Sequence, residues 1–412
     1  MRRGAHSIRE RGNGDVAEIA ESAIMRRASR KDATDKRAPL IPLTAVAADQ
    51  WRALSERVVE PNGYYLPDWE LAVNAFAPGR TNVSALAARS DAQQNSLIGL
   101  MPVVSLWRAY KIPLPALVSA HPYGTLCTPP LDRDGATDAA AQLMQQARDA
   151  GAHALILRDV SLKGAAMKAF TEALLQGGLR PLVLQCQLRA CLDARREPDG
   201  LLHDALGSKK LKELRRQRHR LAEHGAVQFE VARSPDQVAP ALEAFLALEA
   251  SGWKGARGTA LMQNDGDASF IRHAVLPLAA SGQCEIVTLR AGDKPVAAAI
   301  VLRHRDRAFY FKIGVDEQFA RYSPGVQLTL DLTRHLCADP TIATADSTAS
   351  PDHPMINPIW RGRFAIGDVL IPLRRNDPVV SVIHTAMRLR SAARKQALRG
   401  VRLVRERLRK SA

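Results

Sequence analysis

Lys312 interrupts the apolar run Tyr310-Phe311-Lys312-Ile313, and a lysine on such a strand either reaches solvent or lines a cleft, because an ammonium buried without a partner is costly. Asp346 closes a second apolar run, Ile342 to Asp346. Its carboxylate there is placed to take a proton from an acceptor or to orient one, and a turn cap at Ser347-Thr348 accounts for it equally well. His353, in the loop Pro351-Asp352-His353-Pro354, carries the side chain whose ordinary pKa lies closest to neutral. Glu249 stands just before Gly252-Trp253-Lys254-Gly255 and is either a second base or a helix-end charge. Within that segment Trp253 offers a flat platform or a core anchor, and Lys254 an anion contact or a surface charge.

These groups need a frame. Gly252, Gly255 and Gly258 crowd one short stretch, so Gly252 to Ala260, with Thr259 inside it, reads as a loop. The strand-like run through Ile313 leads by way of Arg321-Tyr322-Ser323-Pro324-Gly325 into the helical pattern Val326 to Leu336. Backbone N–H groups around Ser323, Gly325 and Val326 therefore fall at a helix N-terminus, which favours an anion. An ordinary serine cap with proline at the first helical position fits the same residues.

Around them a pattern occurs twice. Asn82 to Ala88 and Ser96 to Val104 form a hairpin, followed by a helix near Thr137 to Asp149, a strand Ala154 to Asp159, a helix near Lys163 to Leu175 and a strand Pro181 to Leu188. Glu285 to Leu289 and Pro295 to Leu302 form a second hairpin, followed by the strand Ala308 to Val315, the helix Val326 to Leu336 and the strand Ile342 to Asp346. The fold expected is α/β (α+β), two lobes related by a divergent duplication, each a mixed sheet flanked by helices. Ser208 to His219, with Leu211, Leu214 and Leu221 on one side, reads as a basic helix joining them; it either binds phosphates of a donor, a tRNA or a lipid, or is simply a solvated face.

The 412 residues exceed one compact core, and the expected division is a basic leader over 1–40, a first lobe over 41–200, the linker helix over 201–224, a second lobe over 225–375 and a basic tail over 376–412. The start lacks the apolar stretch of a signal peptide, and no apolar run is long enough to span a bilayer. Five cysteines, Cys127, Cys186, Cys191, Cys284 and Cys337, lie far apart in no metal-ligand spacing, so a reduced, cytoplasmic protein with no metal is expected. Much of the net charge of +16 sits in Arg388 to Lys410, where ten basic residues face one Glu406. Leu398, Val401, Val404 and Leu408 recur there at helical spacing, so the tail is either a solvated cation or a basic amphipathic helix that lies on an anionic membrane. Charge concentrated at a terminus argues against nucleic acid as the main ligand of the folded body. Neither a nucleophile elbow, a Walker loop nor a His-Glu-x-x-His motif occurs.

One further pattern lies in the order of the motifs. Leu221-Ala222-Glu223-His224-Gly225 is followed by Phe245 to Gly255, Gly258-Thr259-Ala260, Pro295-Val296-Ala297-Ala298, Phe311-Lys312-Ile313, Tyr322-Ser323-Pro324-Gly325, Asp346-Ser347 and Ile359-Trp360. Over Pro61 to Leu373 this resembles the CelD/BcsL-type acetyltransferases of the GNAT superfamily, relatives of the FemAB peptidyltransferases that carry two GNAT-like lobes. The resemblance implies an N- or O-acyltransferase, with acetyl-CoA or another acyl-CoA as donor and an envelope, polysaccharide (cellulose among them) or lipid-linked acceptor. It implies Asp346, Lys312 and His353 as catalytic groups, Ser323, Gly325 and Val326 at the donor, and Trp253, Lys254, Thr259 and Trp360 at the substrate. The family's Arg/Gln-x-x-Gly-x-Gly/Ala loop is present only as Gly325 in Arg321 to Gly325. Two other readings remain: a FemAB-like transferase fed by aminoacyl-tRNA, and a non-enzymatic basic protein that docks on membrane or nucleic acid.

Overall fold

A computed structural model describes residues 40–90, 95–252, 255 and 257–410. Its strands are β1 (Ile41–Pro42), β2 (Ser84–Ser90), β3 (Ser96–Ser105), β4 (Ala116–Ser119), β5 (Ala154–Ser161), β6 (Leu182–Asp193), β7 (Val227–Ala232), β8 (Cys284–Ala291), β9 (Lys294–His304), β10 (Arg307–Val315), β11 (Thr344–Asp346) and β12 (Gly362–Pro372). Among the described residues they form one 12-stranded mixed sheet in the order β1-β2-β3-β4-β5-β12-β6-β11-β10-β9-β8-β7.

The expected repetition is visible in this order. β2, β3 and β4 pair antiparallel, and β4 then pairs parallel with β5 across the helix Ala136–Asp149. β8, β9 and β10 likewise pair antiparallel, and β10 pairs parallel with β11 across the helix Pro324–Ala338. The halves then exchange strands. β6 pairs with β11, and β12 returns from the far end of the chain to lie between β5 and β6.

Burial follows the two-residue period of a strand covered on both faces. In β9, Ala297, Ala299 and Val301 join the cluster under the helix Pro324–Ala338, and Ala298, Ile300 and Leu302 join the cluster under Pro235–Ser251. The Pro235–Ser251 helix starts at a capping box, Ser234 with Gln237, and buries Val238, Leu242, Phe245 and Glu249 along one stripe. The stripe carries a carboxylate into the interior at its last turn.

The basic helix is longer than its sequence suggests. Pro198–Leu221 is one element broken at Gly207 (φ 71°), with Leu211, Leu214 and Leu221 buried. The last helix, Pro378–Lys410, begins ahead of the basic run Arg388 to Lys410: Val380, Ile383 and Met387 are buried beside Leu106, Val118, Ile156 and Leu370, and the Arg390 guanidinium lies 3.9 Å above the Tyr110 ring. Its first turns are thus part of the folded body.

Candidate active site

The site grows from an irregularity in β10. Its pairing with β9 slips between Tyr310 and Lys312, a bulge at Phe311, and its parallel pairing with β11 covers only Arg307 to Phe309. Beyond Phe309 the two strands part, as a bulged strand bends away from its neighbour. The opening is a cavity of about 410 Å3 lined by Tyr310 to Val315, by Leu248, Glu249 and Gly252, by Glu317 and Ala320, and by Thr348, Ala349, His353, Met355 and Ile356.

Lys312 reaches into this space and meets Glu249, with Nζ 3.3 Å from Oε1. The Glu249 side chain is fully buried, and its other oxygen accepts the Leu261 N–H at 3.0 Å. Lys312 Nζ also lies 5.8 Å from the centre of the Tyr123 ring. Tyr123, in the left-handed region at φ 60°, donates its hydroxyl to Asp267 at 2.7 Å beneath the Arg80 guanidinium, 4.5 Å above the ring. Burial, reinforced by the hydrogen bond to Asp267, raises the Tyr123 pKa and keeps the phenol protonated.

Asp346 stands behind the cavity. It forms a short, buried ion pair with Arg189, whose other terminal nitrogen donates to Thr125 O at 2.7 Å and Oγ1 at 2.9 Å. Its second oxygen accepts the Thr348 N–H at 2.9 Å, which is the turn cap, and the Thr348 hydroxyl donates to Tyr310 O at 2.6 Å. Asp346 therefore holds the loop that fills the gap between β10 and β11.

His353 lines the cavity, and its Nδ1 accepts the Met355 N–H at 3.3 Å, which leaves the proton of a neutral ring on Nε2. Ser323 is the N-cap of Pro324–Ala338 in the left-handed region (φ 53°, ψ 50°), with no hydrogen bond from its side chain; its carbonyl accepts the Gln327 N–H at 3.0 Å. Gly325 sits against the cavity wall: a Cβ there would lie 3.2 Å from Val315, 3.3 Å from Met355 and 3.4 Å from Ile313. Ser323 and Val326 are half-buried beside it and do not line the cavity.

Of the remaining candidates, Trp360 is a core residue, fully buried, donating Nε1 to Thr333 Oγ1 at 2.9 Å. Thr259 is exposed and away from the cavity lining. Trp253 and Lys254 lie outside the described residues. The structure thus brings together Lys312, Glu249 and His353, sets Asp346 and Gly325 one layer behind them, and places Trp360 elsewhere. Arg189 and Tyr123 escaped the sequence reading. Arg189 was detectable, since it interrupts an apolar run, Leu188-Arg189-Ala190-Cys191, as Lys312 does. Among the described residues no cluster of acidic, histidine or cysteine side chains suits a metal, and no helix is long and apolar enough to cross a membrane.

The parting of β10 from β11 beside the start of Pro324–Ala338 lies within a segment that matches a family model. Residues 208–353 match the family model of the acetyltransferase (GNAT) domain. No curated protein matches the chain in sequence. Among solved structures, the chain is similar to FemX, with 11% identity, 82% of this chain and 98% of that chain covered, and a TM-score of 0.52. It is also similar to a C-terminal domain (DUF2156) from Agrobacterium fabrum, described as that of a lysylphosphatidylglycerol synthetase, with 14% identity, 82% and 95% coverage and a TM-score of 0.51. At such identities the likeness is one of fold.

Proposed function

We propose that the protein transfers an acetyl or other acyl group from an acyl-CoA to an amine or hydroxyl of an envelope, polysaccharide or lipid-linked acceptor. The observation that carries this reading is the parting of β10 from β11 at Phe309, which turns the backbone edge from Tyr310 to Val315 towards a cavity that Lys312 and His353 also line. A thioester carbonyl laid along that edge is polarised by backbone dipoles fixed in advance, and the start of Pro324–Ala338 offers N–H groups to donor phosphate.

In the reaction, the acceptor lone pair attacks the thioester carbon and the C–S bond breaks; the acceptor loses a proton and the departing thiolate gains one. Glu249, with Lys312 fixing its orientation and charge, takes the acceptor proton, and His353, with its proton on Nε2, supplies the thiol proton. Asp346 acts through the Thr348 loop as a positioning residue. The basic tail holds the enzyme on the inner, anionic face of a membrane, where lipid-linked acceptors are found.

The exposed face of Pro198–Leu221, with Lys209, Lys212, Arg215, Arg216 and Arg220, favours a second reading in which an aminoacyl-tRNA is the donor. FemX and the lysylphosphatidylglycerol synthetase domain share the fold and suit this reading. Titration of the full chain with acetyl-CoA, and separately with aminoacyl-tRNA, decides between the two, followed by thiol release in the presence of amine and hydroxyl acceptors. Saturable binding of acyl-CoA with acceptor-dependent thiol release is expected. Binding of aminoacyl-tRNA with no acyl-CoA binding overturns the first reading in favour of the second.

A further inference from the structure

The opposite end of β10 opens on a second cleft, of about 550 Å3, that the acyl-transfer reading leaves unused. Arg305 and Arg307 come from the β9–β10 turn and the start of β10, Arg133 from the segment ahead of Ala136–Asp149, and Lys163 from the turn between β5 and the helix Ala165–Gln176. Val59 and the half-buried Phe364 add apolar wall.

The charges of this cleft do not cancel. Glu60 is buried and already engaged: one oxygen accepts the Ala166 N–H at 3.3 Å and the other lies 3.6 Å from Arg307. Gly164 makes room for it, since a Cβ there would fall on the Glu60 carboxylate. Arg133 and Arg305 both donate to the Glu56 carbonyl, and among the described residues no carboxylate forms an ion pair with Arg133, Lys163 or Arg305. Asp306 is the other acid in the lining, so four cations face two carboxylates, one of them spent on a helix end.

The topology relates the position of this cleft to that of the first cavity. β5 stands to β4 as β11 stands to β10, each reached by a parallel crossover through a helix. Three antiparallel pairings separate β5 from β11, so the two strands run in opposite directions and their carboxyl ends lie at opposite edges of the sheet. The first cavity is lined by residues just past β11, Thr348 and Ala349; the cleft is lined by residues just past β5, Lys163 and Gly164. Both clefts thus open at the carboxyl end of a crossover strand, but the first is walled by Tyr310 to Val315 of β10, whereas the second takes no wall from β4 and draws its cations from the turns around it.

We propose that this cleft binds a phosphorylated small molecule, with Arg133, Lys163, Arg305 and Arg307 on its phosphoryl oxygens and its apolar part against Phe364 and Val59. Several spaced cations suit the multiple oxygens of a phosphoryl group, more than one planar carboxylate can use, and the volume falls in the range of small-molecule sites.

The test is isothermal titration of the full chain with inorganic pyrophosphate at fixed ionic strength. Saturable binding is expected, weakened at least ~10-fold in Lys163→Gln/Arg305→Gln and unchanged in Arg180→Gln/Arg195→Gln. Both pairs are exposed side chains, and unchanged unfolding midpoints are required of both variants before their binding is compared. The proposal is overturned by the absence of saturable binding, by loss of binding in Gly325→Val with retention in Lys163→Gln/Arg305→Gln, or by malonate binding as tightly as pyrophosphate. The readout is binding alone, so a failure to transfer acyl groups leaves it unaffected.

Discussion

Lys312 and Glu249 face each other across the cavity wall at 3.3 Å, one on a bulged strand and the other on the last turn of a helix whose remaining stripe is hydrophobic. A carboxylate with no solvent exposure is stable there because an ammonium and the Leu261 N–H offset its lost hydration. The pair is thus a structural requirement of the cavity as well as the proposed centre of its chemistry.

Removing one partner separates the two roles. Lys312→Ala leaves the buried Glu249 carboxylate without the Lys312 ammonium and is expected to cost about 3 kcal/mol of stability together with at least a ~10-fold loss of turnover. Lys312→Met/Glu249→Gln, which removes both charges, is expected to recover most of the stability and none of the turnover. Urea denaturation and initial rates measured on both variants check this; recovery of turnover in the double variant would show that neither charge takes part.

Asp346→Asn tests the layer behind. The Arg189 and Asp346 side chains are 1% and 2% exposed, so the substitution leaves a guanidinium buried without its counter-charge, at a cost of about 3–5 kcal/mol. The expected outcome is a lowered unfolding midpoint, with kcat of the folded enzyme falling only as far as the Thr348 loop loosens. A large loss of kcat at unchanged stability would make Asp346 a direct participant.

From sequence alone, Lys312 and Asp346 look alike: two ionisable residues on neighbouring apolar strands, both expected to slow turnover without affecting stability. Their partners separate them, and the partners are distant, Glu249 by 63 residues and Arg189 by 157. Periodicity reports which face a residue occupies, so the hairpins β2–β3 and β8–β9, the strand β10 and the helix Pro324–Ala338 were legible to within about two residues at each end. It carries no information on which strand lies beside which, so neither the passage of β6 to β11 nor the insertion of β12 was visible. Ser323 shows the same limit locally. A serine before proline suggests a side-chain cap, but the left-handed backbone leaves its hydroxyl out of that role.

Gly325 is constrained by its neighbours. Alanine requires Val315, Met355 and Ile313 to yield by a few tenths of an ångström, and valine forces β10 outward. Gly325→Ala is expected to retain most activity. Gly325→Val is expected to raise the donor KM at least ~10-fold, well above any change in acceptor KM, because the displaced wall borders the proposed donor site. Equal changes in both KM values would indicate general loosening.

A pH dependence follows from the first half of the sheet. Burial, followed by the neighbouring Asp159 charge, pushes the Asp368 pKa up to about 6, against the opposing effects of the Asp159 N–H, Arg158 and Arg390. A carboxyl group whose folded pKa exceeds its unfolded value binds its proton more tightly in the native state, so stability falls as pH rises from about 4 to 6 and is flat above. Asp368→Asn is expected to remove this slope, leaving the variant more stable than the parent at pH 7 by no more than about 3 kcal/mol, less whatever its Gln185 hydrogen bond contributes. Thermal unfolding of both proteins at about pH 3.5 and about pH 7, on either side of the transition, measures the difference; parallel curves would assign Asp368 an ordinary pKa.

The C-terminal helix sets the last expectation, and the structure decides where to cut. A chain ending at Thr385 loses Met387, which is 5% exposed, and Arg390, which covers Tyr110, so it is expected to lose stability for reasons unrelated to any membrane. A chain ending at Arg394 keeps those contacts and removes Lys395, Arg399, Arg402, Arg405, Arg407, Arg409 and Lys410. Each basic residue near an anionic surface contributes roughly 1 kcal/mol, a gain that salt screens within a Debye length. The Arg394 truncation is therefore expected to match the parent in unfolding midpoint and in rate on a soluble acceptor, and to lose co-sedimentation with phosphatidylglycerol vesicles at physiological salt. Retained binding would move the membrane contact to the exposed cations of Pro198–Leu221, where Arg215→Gln/Arg216→Gln would then abolish it.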